Sequence, residues 1–162
     1  MPLIPIAEVA LPRLRGFAQV DVFASDAGPG NPLAVVLDAQ GLDARRMQAF
    51  ADWTNLSETT FLLAPTHAAA DYQVRIFSPG RELPFAGHPT LGSCFAWLQA
   101  GGIPRRSDEV IQQCEAGLVR IRVSASKLSF AAPPRVRSGP LDETELALIA
   151  QGLGVARSDI LH

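Results

Sequence analysis

A chain of 162 residues, 48% of them hydrophobic, is long enough for one sizeable core and part of a second. The formal net charge of −2 and the absence of a basic stripe argue against nucleic acid as a partner. No apolar run reaches the roughly 18 residues that a membrane-spanning helix needs. Met1 to Pro12 contains prolines and no basic n-region, so we predict a loose leader rather than a signal peptide.

The only two cysteines, Cys94 and Cys114, lie in apolar or strand-like segments and form no CxxC pair. Reduced, buried thiols in a cytoplasmic protein are the interpretation that fits them. A two-cysteine racemase site is the alternative, although neither cysteine lies at the start of the buried helix described below. Two of the three histidines offer little: His67 is predicted to be solvated, and His162 is terminal.

The first third of the chain alternates strand patterns with turn signals. Alternation over 15–23 predicts a strand, and the continuous apolar run at 32–37 predicts a second, buried one. Asp43 is a plausible N-cap for a helix whose apolar residues follow at helical spacing, and Asn55 can end it. Six further strands are predicted at 59–64, 71–78, 82–85, 109–114, 118–123 and 127–131.

An uncharged apolar segment, Pro89–Ala100, stands among these strands and predicts a helix. Pro89 suits the first helical position, and the pair Gly101 and Gly102 supplies the stop. A helix that is apolar nearly all round belongs inside a domain. Strands surrounding one such helix predict an α+β fold, a barrel-like and mostly antiparallel sheet around a central apolar helix.

The start of this helix is a candidate binding site, because His88 precedes it. Free backbone N–H groups and the positive end of the helix dipole suit a carboxylate or a phosphate. The alternative is a core helix beside an incidental surface histidine.

An internal repeat of 99 residues indicates two similar units. Residues 42–51 (LDARRMQAFA) align with 141–150 (LDETELALIA), where Asp142 and Glu145 form a capping-box pattern before an apolar stripe. We therefore expect one domain over 1–124 and the incomplete start of a second, similar one over 125–162. The chain is expected to stop inside that second copy.

Glu58 is the candidate acid/base, because it stands at a predicted helix-to-strand junction between apolar neighbours. Exclusion of water from a carboxylate suits general acid/base work. Three neighbouring hydroxyls could orient it: Ser57, Thr59 and Thr60. An ordinary surface glutamate is the alternative. If Glu58 and His88 meet on one side of the domain, a carboxylate faces an imidazole at a helix N-terminus, which is a workable proton-transfer site.

No P-loop, GxGxxG motif or clustered set of metal ligands occurs in the sequence, so neither a cofactor nor a metal is implied.

Five motifs follow one another along the chain: VDVF at 20–23, GNPLAVV at 30–36, NLSETTF at 55–61, RIFSPGRELPFAGHPTLG at 75–92 and QCEAGL at 113–118. In these the chain resembles the PhzF-like isomerases of phenazine biosynthesis, relatives of diaminopimelate epimerase in fold. The resemblance covers roughly 15–162. It implies two similar halves, each a barrel-like sheet around a central helix, with an active site in the cleft between them.

The resemblance also implies cofactor-free proton transfer on a small carboxylate-bearing substrate. The family's L-S-E-T glutamate shuttles the proton, which assigns that role to Glu58. The histidine of G-H-P-T lies in the family's site, which assigns His88 to it, with Gly87, Pro89 and Thr90 lining the anion end. The epimerases have a cysteine where this family has the histidine, which argues against amino-acid racemisation.

One part of the family pattern is missing from these residues. The family needs an Asp and a Gly/Ser-rich loop from its second half, in a segment like E-D-P-x-T-G-S, and the 162 residues contain none. The expectation is therefore a truncated isomerase. The alternative is an inactive lone half-domain that acts as a binding or self-association module. In either case we expect a homodimer or other self-association, because apolar surface would be uncovered.

Overall fold

The computed structural model describes residues 13–24, 28–125, 127–132 and 137–160. The predicted leader at 1–12 and His162 lie outside the described residues. The chain divides into two units between Ala131 and Ala132. The strand predicted at 127–131, which the expected domain division placed at 125–162, belongs to the first unit.

The first unit contains every strand that the sequence predicts, with ends that agree to within two residues. In chain order the strands are β1 (Phe17–Val22), β2 (Asn31–Val36), β3 (Glu58–Leu63), β4 (Tyr72–Ser78), β5 (Arg81–Leu83), β6 (Glu109–Cys114), β7 (Gly117–Val123) and β8 (Leu128–Phe130). Two helices accompany them, α1 (Ala44–Thr54) and α2 (Gly87–Gln99). The Asp43 side chain caps α1 by accepting a hydrogen bond from the backbone N–H of Arg46, as its position in the sequence predicts.

The eight strands form one curled, mixed sheet in the order β1-β2-β3-β4-β6-β7-β8, with β5 also paired to β4. Five of the seven pairings are antiparallel, and β2–β3 and β4–β6 are parallel. The α+β half-barrel predicted from the sequence is therefore confirmed.

The two helices cover opposite faces of this sheet. α2 packs against β1, β2, β3, β6 and β8, and α1 packs against β3 and β4. Side chains alternate between these layers as the pleat requires. Along β2, Leu33 and Val35 join the cluster on the α2 side, whereas Val36 joins Met47 on the α1 side. Burial on both faces explains why β2 is apolar throughout.

α2 differs from its prediction in two ways. It begins at Gly87, so His88 lies inside its first turn rather than before it. Its apolar circumference is also not fully enclosed, because Phe95 is 47% exposed. The helix packs tightly against side chains of β1 and β2 at Gly92, where a Cβ atom would lie 2.6 Å from Leu33 and 2.8 Å from Val22.

The second unit contains α3 (Glu143–Leu153) and a short 3₁₀ helix at Arg157–Asp159. The capping box between Asp142 and Glu145 is present, as predicted. The N-caps Asp43 and Asp142, and the left-handed C-caps Asn55 and Gly154, are both 99 residues apart, so α1 and α3 match along their whole length.

The apolar stripe predicted for α3 is only half buried. Leu146 and Ala150 are buried, whereas Ile149 and Leu153 are exposed. A unit this small cannot cover a whole helix face.

Among the described residues, no helix combines the length and apolar character that crossing a bilayer requires.

Candidate functional site

Three elements of the first unit bring polar side chains together at one place. Asn31 opens β2, Glu58 opens β3, and His88 stands in the first turn of α2. β2 and β3 run parallel with Leu33 opposite Glu58, so their first residues lie at the same end of the sheet. The crossover through α1 thus places side chains that are far apart in sequence beside each other.

Glu58 and His88 form a close pair that is shielded from water. Glu58 Oε2 lies 3.4 Å from His88 Nε2, and the two side chains are only 18% and 9% exposed. Both atoms are buried, and neither has a hydrogen-bond partner. Buried polar atoms are satisfied in most proteins, so an unsatisfied facing pair is a candidate functional site. The predicted meeting of these two residues is therefore present in the structure.

The electrostatics of His88 reflect two opposing causes. Burial lowers the pKa of the imidazole below its ordinary 6.5, because the charged form loses its hydration. The Glu58 carboxylate and the Pro32 carbonyl oppose this shift by stabilising the protonated ring, but burial is the larger effect. His88 is therefore held mainly neutral around pH 7, with one ring nitrogen that can donate a hydrogen bond and one that can accept a hydrogen bond or a proton.

Asn31 is a site residue that the sequence analysis missed. Its Nδ2 lies 3.3 Å from His88 Nδ1, and its Oδ1 accepts a hydrogen bond from Ser57 Oγ at 3.3 Å. The available signal was its place in the GNP segment of a recognised motif. Its contact with a histidine 57 residues away depends on the fold, which local patterns do not show.

The turn before Asn31 is tightly built. The Asp21 carboxylate accepts hydrogen bonds from the backbone N–H groups of Gly28 and Gly30, at 2.6 and 3.2 Å. A Cβ atom at Gly30 would lie 2.4 Å from the Val22 carbonyl oxygen, so only glycine fits there. This turn fixes where β2 begins and hence where the Asn31 side chain stands.

The predicted anion end lies at the first turn of α2. Gly87 and His88 have backbone N–H groups with no partner inside the helix, whereas Pro89 has none to offer. Thr90 is fully buried, and its hydroxyl donates to the Ala86 carbonyl at 2.9 Å. The same hydroxyl accepts a hydrogen bond from Gln112, whose Oε1 accepts one from Tyr72. The Thr90 side chain is thus engaged in the core beneath the site.

The three hydroxyls expected to orient Glu58 make other contacts. Thr59 Oγ1 pairs with Thr54 Oγ1 at 2.8 Å, and Thr60 Oγ1 accepts a hydrogen bond from Ser93 at 2.9 Å. Ser57 binds Asn31 rather than the carboxylate. That expectation is therefore corrected: Thr59 points to the face of β3 opposite to Glu58, and Thr60 shares the face of Glu58 but its hydroxyl is bound to Ser93.

Neither cysteine is free to act as a base. Both thiols are unpaired and buried, and burial raises the pKa of Cys94 to about 12. Such a thiol stays protonated at neutral pH. His67 is exposed, as predicted. Within the described residues, no group of three or more potential ligands could hold a metal ion.

Two cavities lie away from the Glu58–His88 pair. One, of about 440 Å³, is polar and contains the Arg75–Glu82 ion pair, whose nitrogen and oxygen atoms are 2.6 Å apart. The other, of about 600 Å³, is an apolar groove between α2 and the edge strands β1 and β8, and we call it the seam groove. Neither of these cavities is lined by Glu58 or His88.

Comparison with known proteins places these features in a family context. The profile of a family described as phenazine biosynthesis-like protein matches residues 20–155. Antisense-enhancing sequence 1 of Schizosaccharomyces pombe is 44% identical over 146 residues, which make up 87% of this chain and 49% of that protein. The trans-2,3-dihydro-3-hydroxyanthranilate isomerase of Pseudomonas aeruginosa is 49% identical over 83 residues, which are 51% of this chain and 30% of that protein.

A solved structure supports the same fold. A predicted epimerase from Pseudomonas aeruginosa matches with a TM-score of 0.65 and 30% identity, over 90% of this chain and 52% of that one. The chain therefore spans about half the length of the Schizosaccharomyces pombe relative and of this solved structure.

Proposed function

Because this chain belongs to the phenazine biosynthesis-like (PhzF-like) protein family, we propose that it takes part in a cofactor-independent isomerisation. A proton moves between two positions of a small substrate that carries a carboxylate. Glu58 is the proton shuttle and His88 is its partner. The observation that carries the proposal is the buried, unsatisfied pair Glu58 Oε2 and His88 Nε2, 3.4 Å apart.

In the proposed mechanism the Glu58 carboxylate removes a proton from one carbon of the substrate and returns it to another. The substrate's own double bond shifts between the two steps, so electrons balance without an oxidant or a metal. Neutral His88 donates a hydrogen bond where negative charge develops. Shielding from water strengthens both interactions.

The first turn of α2 supplies the proposed anion end. The backbone N–H groups of Gly87 and His88, together with the helix dipole, suit a substrate carboxylate. Pro89 and Thr90 shape this turn from below: Pro89 is buried, and the Thr90 hydroxyl ties the turn to Gln112. We propose a cyclic carboxylate related to dihydro-hydroxyanthranilate as the substrate class, from the name of a relative that is 49% identical over 83 residues.

We further propose that residues of a second, similar half complete the site. The support is the length of the relatives and the match between α1 and α3 at an offset of 99 residues. Glu58 and His88 would then form one wall, and the opposite wall would contribute the groups that hold the rest of the substrate. The whole reaction is accordingly expected of the two-half protein, in a cytoplasmic setting that keeps both cysteines reduced.

The test is proton exchange into a cyclic carboxylate analogue in deuterated solvent, followed by NMR. It compares the 162-residue chain with a chimaera that adds the second half of a relative. In whichever of the two proteins exchanges protons, Glu58→Gln should lower the exchange rate by about 10² to 10⁴. The amide keeps the shape of the side chain but loses the basic oxygen. Binding of the analogue should change little.

The matched control is Glu115→Gln, which makes the same chemical change at an exposed glutamate outside the pair. It should exchange at the parent rate. A Glu58→Gln protein that also exchanges at the parent rate would make Glu58 structural and the proposal wrong. If the 162-residue chain alone matches the chimaera, the second half is not required.

A second candidate function rests on the seam groove. Phe23 is 74% exposed beside it, and Phe95 opens into it from α2. An uncovered apolar groove of this kind is typical of an interaction surface. The chain would then act as a binding or self-association module, with a second copy of itself as the partner.

A further inference from the structure

We propose that Asn31 is a positioning residue that holds His88 in a single tautomer, with the ring proton on Nε2, where it faces Glu58. The importance of this tautomer for catalysis rests on the proposed function, but the tautomer itself can be measured without any substrate. No motif assigned a role to Asn31. The inference comes from three contacts in the described residues.

The first contact fixes the role of His88 Nδ1. Asn31 Nδ2 lies 3.3 Å from it. An amide nitrogen has two hydrogens and no usable lone pair, so it can only donate. With the amide in this orientation His88 Nδ1 accepts, and a neutral imidazole that accepts at Nδ1 carries its proton at Nε2.

The second contact agrees with this orientation of the Asn31 amide. Ser57 Oγ donates to Asn31 Oδ1 at 3.3 Å, which leaves Nδ2 on the side of the imidazole. A serine hydroxyl can also accept, so Ser57 alone would not forbid a flipped amide. A flip would place Oδ1 against Nδ1 and require the opposite tautomer. In this arrangement Ser57 donates to Asn31 and Asn31 donates to His88, so each hydrogen bond has one donor and one acceptor.

The backbone that carries Asn31 is itself fixed. Asn31 pairs with Val22 at the end of the β1–β2 ladder. The preceding Gly30 has no room for a side chain, and the Asp21 carboxylate binds its N–H. A side chain anchored in this way loses little freedom when it binds the histidine, as a positioning residue should.

The third contact shows what the tautomer does. Glu58 Oε2 is 3.4 Å from His88 Nε2, and both atoms lack a hydrogen-bond partner. With the proton on Nε2, a small movement closes an N–H···O bond to the carboxylate or to a bound substrate. With the proton on Nδ1, two lone pairs would face each other across this gap, and the imidazole could donate to neither group.

The experiment is ¹⁵N NMR of the imidazole nitrogens in the 162-residue chain, at a pH where the rings are neutral. In the parent protein, His88 Nδ1 should resonate in the range of an unprotonated ring nitrogen and Nε2 in the range of a protonated one. His88→Gln identifies the signals. His67 is an internal control, because its Nδ1 accepts from the backbone N–H of Ala69 at 3.1 Å and should give the same pattern.

Asn31→Asp is the decisive variant, since it keeps the size of the side chain and replaces the donor by an acceptor. It should move the His88 proton to Nδ1, while Asn31→Ala should leave a mixture of both tautomers. The His67 signals should stay unchanged in each variant, which also reports that the fold is intact. A parent protein with the proton on Nδ1, or an Asn31→Asp protein that retains it on Nε2, would overturn the proposal.

The NMR result for the His88 tautomer can be interpreted separately from the proton-exchange assay of the proposed isomerase. If the tautomer moves as expected but Glu58→Gln does not slow exchange, the positioning role stands and the proposed isomerase fails. If the tautomer does not move but Glu58→Gln abolishes exchange, the proposed function stands and Asn31 is merely structural.

Discussion

At the scale of single residues, His88 combines a buried position with a charged neighbour. Burial favours the neutral ring, and Glu58 favours the protonated one, with burial the stronger effect on the pKa. A change in either effect, such as a ligand charge beside the ring, would therefore move the pKa of His88. That is the property an acid/base site needs.

This balance predicts how stability depends on pH. Because the folded-state pKa of His88 lies below the 6.5 of the unfolded chain, the unfolded chain takes up a proton first as the pH falls. The free energy of unfolding should therefore be highest above about pH 6.5 and decrease as the pH falls through that value toward the folded-state pKa. His88→Gln should weaken this decrease, as measured by chemical denaturation at about pH 8 and about pH 5.5.

All other titrating groups are common to the two proteins, so their contributions cancel in the comparison. The matched substitution His67→Gln, at an exposed histidine, controls for the chemical change itself. Equal slopes for the parent and His88→Gln would show that burial does not perturb this ring.

The sequence identified Glu58 and His88 because both stand in recognisable motifs, and the structure brings them together. It did not identify Asn31, since the role of an amide depends on what the fold places 3.3 Å away. It also wrongly expected the hydroxyls of Thr59 and Thr60 to orient the Glu58 carboxylate. Adjacent positions on β3 face opposite layers, so one packs toward α1 and the other toward α2.

At the scale of elements, the position of α2 depends on its close contact with the sheet. At Gly92 the helix backbone lies against Leu33 and Val22, with no space for even a methyl group. This contact holds the helix axis near β2 and so sets the distance from His88 to Asn31 and Glu58. The sequence predicted a buried helix from its apolar composition, but it could not show which face stays open, because that depends on the curl of the sheet.

Gly92→Ala is therefore expected to destabilise the first unit by about 1 to 3 kcal/mol. A Cβ atom 2.6 Å from Leu33 forces side chains or the helix to move, which outweighs the gain of roughly 1 kcal/mol in helix propensity. Thermal or urea unfolding of the two proteins measures the difference.

The control is Gly152→Ala in α3, where a Cβ atom would meet nothing within 4 Å. It should leave stability equal or slightly raised. Equal stability of Gly92→Ala and the parent would mean that α2 can move away from the sheet at no cost.

At the scale of the whole first unit, the sheet curls but does not close. In the part of the chain that the structure describes, β1 pairs only with β2 and β8 only with β7, which leaves two open edges beside the seam groove. Unpaired strand edges next to exposed aromatic side chains favour association with another chain. A sheet of this kind, left uncovered, should be found self-associated in solution.

We predict that the parent chain associates with itself in a concentration-dependent way and that Phe95→Lys weakens this association about tenfold or more. A buried aromatic anchor commonly contributes that much to an interface, and a lysine in the groove would be costly to desolvate. Analytical ultracentrifugation over a range of concentrations measures the effect.

Ile103→Lys is the matched control, because Ile103 is 87% exposed but does not line the seam groove. It should associate like the parent. A monodisperse monomer at high parent concentration would contradict the prediction, and equal weakening by both variants would point to charge rather than to the groove.

The sheet order has a consequence for how the chain is made. With the exception of β4–β6, each strand along the main path of the sheet pairs with the strand before or after it in sequence. Such neighbour-to-neighbour pairing keeps the loops that must close short, and it favours rapid folding from the N-terminus while the ribosome is still adding residues. Asn31, Glu58 and His88 all precede β6. Translation thus delivers Asn31, Glu58 and His88 before it delivers α3.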